Sequence, residues 1–345
     1  MIWHPLVWTF GAAALTGGVL YFYAFFFAMD VAANWAPERT DRRQLRREHR
    51  AEASSLLAKG AFSCLFVAAL AGVVGIALFW HRIVPGAMCG TGVLQAMDVW
   101  GTRAMFFWGL ALIVLYGWHV ADGLERKSPD GVLSQNNARL LLTASPFLLL
   151  AFFYSQRALL SVDTTDPVSC CAAVYDRVLD GTAANKIKPV IRAVSFWGSA
   201  LGSMLISGGV IRAIRRPGLG TDRGVAFLSI IWALFAAVAV KQIWSSYYYQ
   251  VLSHPCPWCL FLTDHYGVGF LIFGSISICV LEGTALWVSH QIYRNCPVLA
   301  APARLRCQVA HRRILTALVV YTCLTLFPAL HWRISTGAWL NGNHF

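Results

Sequence analysis

Residues 5–29 read PLVWTFGAAALTGGVLYFYAFFFAM, without one charged side chain, and the arginine-rich ERTDRRQLRREHR of residues 38–50 follows shortly after. The hydrocarbon core of a bilayer is ~30 Å thick and is crossed by ~20 helical residues, so the stretch is long enough to span it. It has no basic leader before it and no small-residue cleavage site, which predicts a retained helix rather than a signal peptide. Seven more segments follow the same rule: 58–80, 102–121, 138–157, 193–212, 224–243, 264–288 and 313–332. Hydrophobic residues make up 57% of the chain and charged ones 13%, a balance that excludes a soluble globular protein of 345 residues. The expected fold is all-α, a polytopic transmembrane bundle of about eight helices in one integral membrane domain, 1–345.

Orientation follows from lysine and arginine in the short loops. One alternate set of loops holds Arg42, Arg43, Arg46, Arg47 and Arg50, then Arg126 and Lys127, then Arg212, Arg215, Arg216 and Arg223, then Arg294, Arg304, Arg306, Arg312 and Arg313. That set is expected in the cytoplasm, which leaves both termini outside. Arg177, Lys186, Lys188 and Arg192, in the long outer loop 158–192, run partly against the trend. The basic cytoplasmic loop 30–57 reads over 37–57 as an amphipathic helix on the membrane surface. The net charge of +12 is accounted for by arginines at helix ends facing anionic headgroups, so membrane lipid is the expected partner and nucleic acid is not.

This topology sorts the ten cysteines. Cys64, Cys279 and Cys323 fall inside helices, where a thiol packs as a small apolar group. Cys296 and Cys307 face the cytoplasm and are read as thiols rather than a metal pair. Cys89, Cys170, Cys171, Cys256 and Cys259 fall on the outer side, which in a bacterium is the oxidising one.

The densest chemistry lies in SHPCPWCLFL, residues 253–262. With Cys256 as N-cap and Pro257 as the first helical residue, Cys259 lies one turn on along the same face. A helix N-terminus and a protonated His254 would both favour a thiolate, which is what disulfide exchange requires. A redox-active dithiol is the preferred reading, ahead of an inert disulfide and of a ligand pair, and no metal site is assigned. Covalent c-type haem is disfavoured because Leu260 stands where that attachment needs histidine. His81 and His119 lie near opposite helix ends, and haem ligation needs histidines at matching depth.

CPWC followed by LFL at an outer membrane face resembles the CxxC of the vitamin K epoxide reductase family and, more distantly, of the bacterial quinone-linked disulfide-generating membrane oxidases. The likeness covers only about residues 253–270. It implies that outer-loop cysteines exchange with substrate thiols and pass electrons to the CxxC, with Cys256 as the exchange partner and Cys259 facing the quinone, ubiquinone or menaquinone. Eight helices exceed the four or five of such a core. The loop partner stays open: a vicinal Cys170–Cys171 disulfide must span Cα atoms ~3.8 Å apart, below the usual range, whereas pairing of Cys89 with one of the two avoids that strain.

Asp264, His265 and Tyr266 follow the CxxC, and His265 is a candidate proton donor beside a quinone site that would also involve His254, Trp258 and Tyr266. From Pro257 to Val288 is too long for one crossing, so either the helix tilts outward or CPWCLFLTDHY forms an interfacial half-helix bent near Gly267 and Gly269. The aromatic run WSSYYYQ, 244–250, is read first as an interfacial belt. The function expected is a thiol–disulfide oxidoreductase of the bacterial inner membrane, coupling periplasmic thiols to a quinone, with a periplasmic thiol protein or cytochrome as possible partner. The alternative is a non-catalytic or quinol-handling subunit of a respiratory or cytochrome-maturation complex.

Overall fold

A computed structural model describes residues 3–36, 38, 41–128, 131–162, 167–168, 184–215, 220–250 and 256–340, with side chains from 190 onward in the segment that starts at 184. Every regular element among the described residues is helical. Eight helices are long and apolar enough to cross a membrane, the number expected, and the chain is an integral membrane protein. The chain gathers into two compact units: unit 1 is Met1–Ile83, Leu94–Thr164 and Val288–Arg306, and unit 2 is Val84–Val93, Thr165–Trp287 and Cys307–Phe345.

Unit 1 is built on α1 (Pro5–Asn34), α2 (Arg42–Val74), α4 (Asp98–Glu125), α5 (Ser134–Leu142) and α6 (Ser145–Ser161). The buried faces of α1 and α2 run at three- and four-residue spacing and are mostly small, Ala14, Gly17, Ala24 and Ala28 around Tyr21 on one and Ala58, Ala61, Ala68 and Ala71 around Leu65 on the other. Small side chains let the backbones approach closely, which is how helices gain packing energy where lipid is as apolar as leucine. A Cβ at Gly17 would stand 2.8 Å from Leu65 Cγ. The outward positions carry Leu15, Phe22 and Leu70, half or more exposed as lipid contact requires.

The basic stretch departs from expectation. It is helical, but it continues straight into the second crossing rather than forming a separate surface helix, so residues read as loop belong to a 33-residue α2. Asp41 caps its start through Gln44 N–H, Gln44 is itself buried, and Arg50 pairs with Asp30 of α1. Beyond Val74 the helix widens into a π turn at Gly75–Phe79, which seats Trp80 over Gly75 where a Cβ would clash with the indole. The fourth crossing is two helices rather than one, with Pro146 in the first turn of α6, where a missing N–H costs nothing.

Unit 2 holds α3 (Gly90–Ala96, through Val93), α7 (Ala184–Arg215), α8 (Thr221–Ala239), α9 (Ser245–Tyr249), most of α10 (Val268–Asn295) and most of α11 (Ala300–Thr336). Trp232 anchors its core at 1% exposure. Its indole N–H donates to the Ser199 carbonyl and Ser203 Oγ at 3.0 and 2.9 Å, and its ring meets Tyr321 edge-on. Buried indole needs such a partner.

Candidate functional site

Three of the five cysteines expected on the outer side meet in unit 2. Cys89, Cys256 and Cys259 bring their sulfurs within 4.8 Å of one another, and Cys89 Sγ lies 3.4 Å from Cys256 Sγ, a non-bonded contact well beyond the ~2.05 Å of a covalent S–S bond. Cys89 is fully buried, Cys259 nearly so and Cys256 half-buried. Trp258, Leu262 and Tyr249 pack around them.

Each sulfur is held by a local device. Cys89 stands immediately before α3, and its carbonyl accepts the N–H groups of Gly92 and Val93. The turn before it depends on Gly86, whose φ of +76° suits glycine. A Cβ there would stand 2.4 Å from the Val168 carbonyl oxygen. Val168 N–H in turn donates to the Pro85 carbonyl at 2.9 Å, which ties the chain at Pro167–Val168 to the Cys89 loop. Cys170 and Cys171, two and three residues further on, lie outside the described residues, as does His254.

The CxxC starts a helix as expected, with Cys256 as N-cap and Pro257 at the first position, but the helix is a 3₁₀ turn of five residues, Pro257–Phe261. This corrects the electrostatic expectation: too few peptide dipoles align in such a turn to act as the N-terminus of a long helix. The geometric expectation survives, because positions i and i+3 eclipse in a 3₁₀ helix and so put Cys259 over Cys256. The turn continues through Thr263–His265, and Tyr266 and Gly267 both adopt left-handed conformations before α10 begins at Val268. Of the two arrangements foreseen for this segment, the structure has the break, a separate short helical piece bent near Gly267, rather than one continuous helix. The helix of the seventh crossing therefore begins after His265, and Asp264 is exposed.

Among the expected cofactor residues, Trp258 packs on the sulfurs and its ring tilts against Phe261 at 5.3 Å. His265 is half-buried, 4.7 Å from the Tyr249 ring. Tyr266 is 97% exposed and takes no part in the packed group. The aromatic run needs correcting too. Ser245–Tyr249 is helical and continues the sixth crossing, Tyr247 is buried, and the hydroxyls of Tyr248 and Tyr249 donate to the Leu324 and Cys256 carbonyls, each at 2.6 Å. These side chains are spent on protein contacts, which an interfacial belt does not require.

Two contributors escaped the sequence reading. Thr91 Oγ1 lies 3.1 Å from Cys256 Sγ, and Tyr249 holds the backbone of the CxxC. Thr91 stands two residues after Cys89 in PGAMCGTGV, so proximity to an outer cysteine was its available signal. Elsewhere Cys279 is buried in an apolar setting, as expected, and His119 stacks on Phe62 at 5.6 Å. A cavity of about 630 Å³ lies in unit 1, lined in part by Trp35, Ser55, Trp118, Asp122, Glu125 and Arg126.

Comparison with known proteins gives no match to this chain, whether by family model, by curated protein or by solved structure.

Proposed function

We propose that the protein is a membrane thiol–disulfide oxidoreductase, exchanging electrons between thiols on the outer, periplasmic side of a bacterial inner membrane and a membrane quinone. The observation that carries this reading is the convergence of Cys89 on the CxxC: sulfurs from segments 167 residues apart in sequence stand at 3.4 Å. Structural cysteines have no need to gather as a group of three. Thiol–disulfide exchange does, because a thiolate must reach a sulfur in line to form the mixed disulfide.

The chemistry balances as follows. A substrate dithiol attacks the oxidised Cys256–Cys259 pair, one S–S bond breaks as another forms, and the substrate leaves as a disulfide. The reduced pair then gives two electrons and two protons to the quinone, which departs as quinol while the Cys256–Cys259 bond is restored. Cys256, the more accessible of the two, faces exchange, and the buried Cys259 lies beside the aromatic rings of Trp258 and Tyr249 that suit a flat acceptor. His265, within reach of solvent, is the proton carrier of this scheme.

Two further points support the reading. Unit 2 draws on four of the eight crossings and carries all three sulfurs, which fits the four or five helices of the resembling family's core. An even number of candidate crossings is also compatible with both termini outside, the orientation the arginine distribution predicts. The test is to replace Cys256 or Cys259 by serine and follow quinone reduction with a dithiol donor. Turnover falls to the uncatalysed rate in both variants; unchanged turnover overturns the reading.

A further inference from the structure

We propose that Cys89, Cys256 and Cys259 also form a binding site for one thiophilic divalent d¹⁰ cation, of which Zn²⁺ is the common example. The proposal rests on the sulfur positions alone and stands whether or not the protein reduces a quinone. A zinc–thiolate bond is ~2.3 Å, so sulfurs sharing one tetrahedral ion lie ~3.8 Å apart. The observed sulfurs are 3.4 Å apart in one pair and within 4.8 Å in the others, so rotamer adjustments of under about 1 Å close the site.

Ligand type points the same way. Three sulfurs with neither carboxylate nor imidazole in the group select soft ions and disfavour magnesium, calcium and manganese. Charge then chooses among soft ions. Binding releases three thiol protons, and the three thiolates left behind carry −3. A divalent ion reduces this to −1 and a monovalent ion only to −2, and in a pocket where Cys89 is fully buried and Cys259 nearly so the smaller residual charge is the less costly. Thr91 hydroxyl, 3.1 Å from Cys256 Sγ, is placed to donate to that thiolate, an outer contact that fixes the ligand and spreads its charge. Three protein ligands leave the fourth position open, the arrangement of exchangeable rather than purely structural sites. Occupancy removes all three nucleophiles at once, so the cation acts as a reversible brake on thiol exchange.

The full-length reduced protein in detergent is titrated with Co²⁺, whose tetrahedral thiolate complexes absorb strongly, and the cobalt is then displaced by Zn²⁺. One equivalent per chain is expected. Cys89→Ser and Cys256→Ser each abolish the sulfur-to-cobalt absorption of the three-thiolate complex, and Thr91→Val weakens zinc binding about 10-fold. Cys296→Ser and the double variant Cys170→Ser/Cys171→Ser leave the spectrum intact. An unaltered spectrum in either Cys89→Ser or Cys256→Ser overturns the proposal, and so does its loss in the double variant. No quinone is present, so the outcome is independent of the redox assay.

Discussion

The Asp122 network of unit 1 and the sulfur group of unit 2 keep polar atoms away from water in opposite ways, although unit 2 also pairs a buried carboxylate, Glu282, with Arg313. In unit 1 the buried Asp122 carboxylate is met by Lys59 at 2.6 Å, by Arg126 at 3.3 Å and by the Ser55 hydroxyl, while Glu125 accepts from Ser134 and Asn137. Every carboxylate oxygen of the two residues has a donor, and a satisfied network of this kind holds helices in register. In unit 2 the sulfurs touch one another and Thr91, through contacts that are soft, close and exchangeable. Charge fully paired is inert; sulfur set beside sulfur is reactive. Depth alone therefore does not mark a functional group, and what the group touches decides.

The sharpest way to break this contrast is at Asp122. Asp122→Ala strands Lys59, whose side chain is only 27% exposed, and the expected loss of stability is about 3 kcal/mol, the low end for a broken buried pair because Lys59 keeps some water. Thermal unfolding in detergent measures it, and turnover per folded molecule stays unchanged. A change in turnover without a change in melting would reverse the roles assigned to the two units.

Gly86→Ala comes next. A side chain at φ +76° costs about 1–2 kcal/mol, and the added carbon meets the Val168 carbonyl. The expected result is a loosened Cys89 loop, with Cys89 labelled faster by a thiol reagent and melting lowered by that amount. Tyr249→Phe is milder. It removes the hydroxyl bond to the Cys256 carbonyl, worth about 1 kcal/mol, and is expected to lower turnover while leaving Asp122-dependent stability untouched.

The smallest effect sharpens the comparison with an ordinary cysteine. Burial pushes the Cys296 thiol above its usual range, so at a given pH less of it is thiolate. Its alkylation rate is expected to rise with pH later than that of a free thiol in solution, and an earlier rise would contradict the assignment.

Much of this was legible in the sequence, for a physical reason. Crossing segments announce themselves because lipid demands an unbroken apolar run of fixed length. Their ends do not: Arg42 to Leu57 is charged enough to read as loop, yet it is helical because Asp30 and the buried Gln44 give it partners. At the site, Cys89, Cys256 and Cys259 were visible by residue type, and the loop topology predicted them on one side. Their contact was not, because it joins positions 167 residues apart. Tyr249 was misread because an aromatic residue at a crossing's edge has the same sequence signal whether it faces headgroups or a backbone carbonyl. The Lys59–Asp122 pair was missed outright, since nothing in the sequence says which charge of α2 faces which charge of α4.

The separation of the sulfurs along the chain also sets an order of events during synthesis. Cys89 leaves the ribosome 167 residues ahead of Cys256, which at ~5–20 residues per second is an interval of roughly 8–33 s. For that time the half-made protein holds a thiol destined for a neighbourhood that does not yet exist. A cell that ties it up too early in a foreign bond would produce a finished bundle with its reactive centre already spoiled.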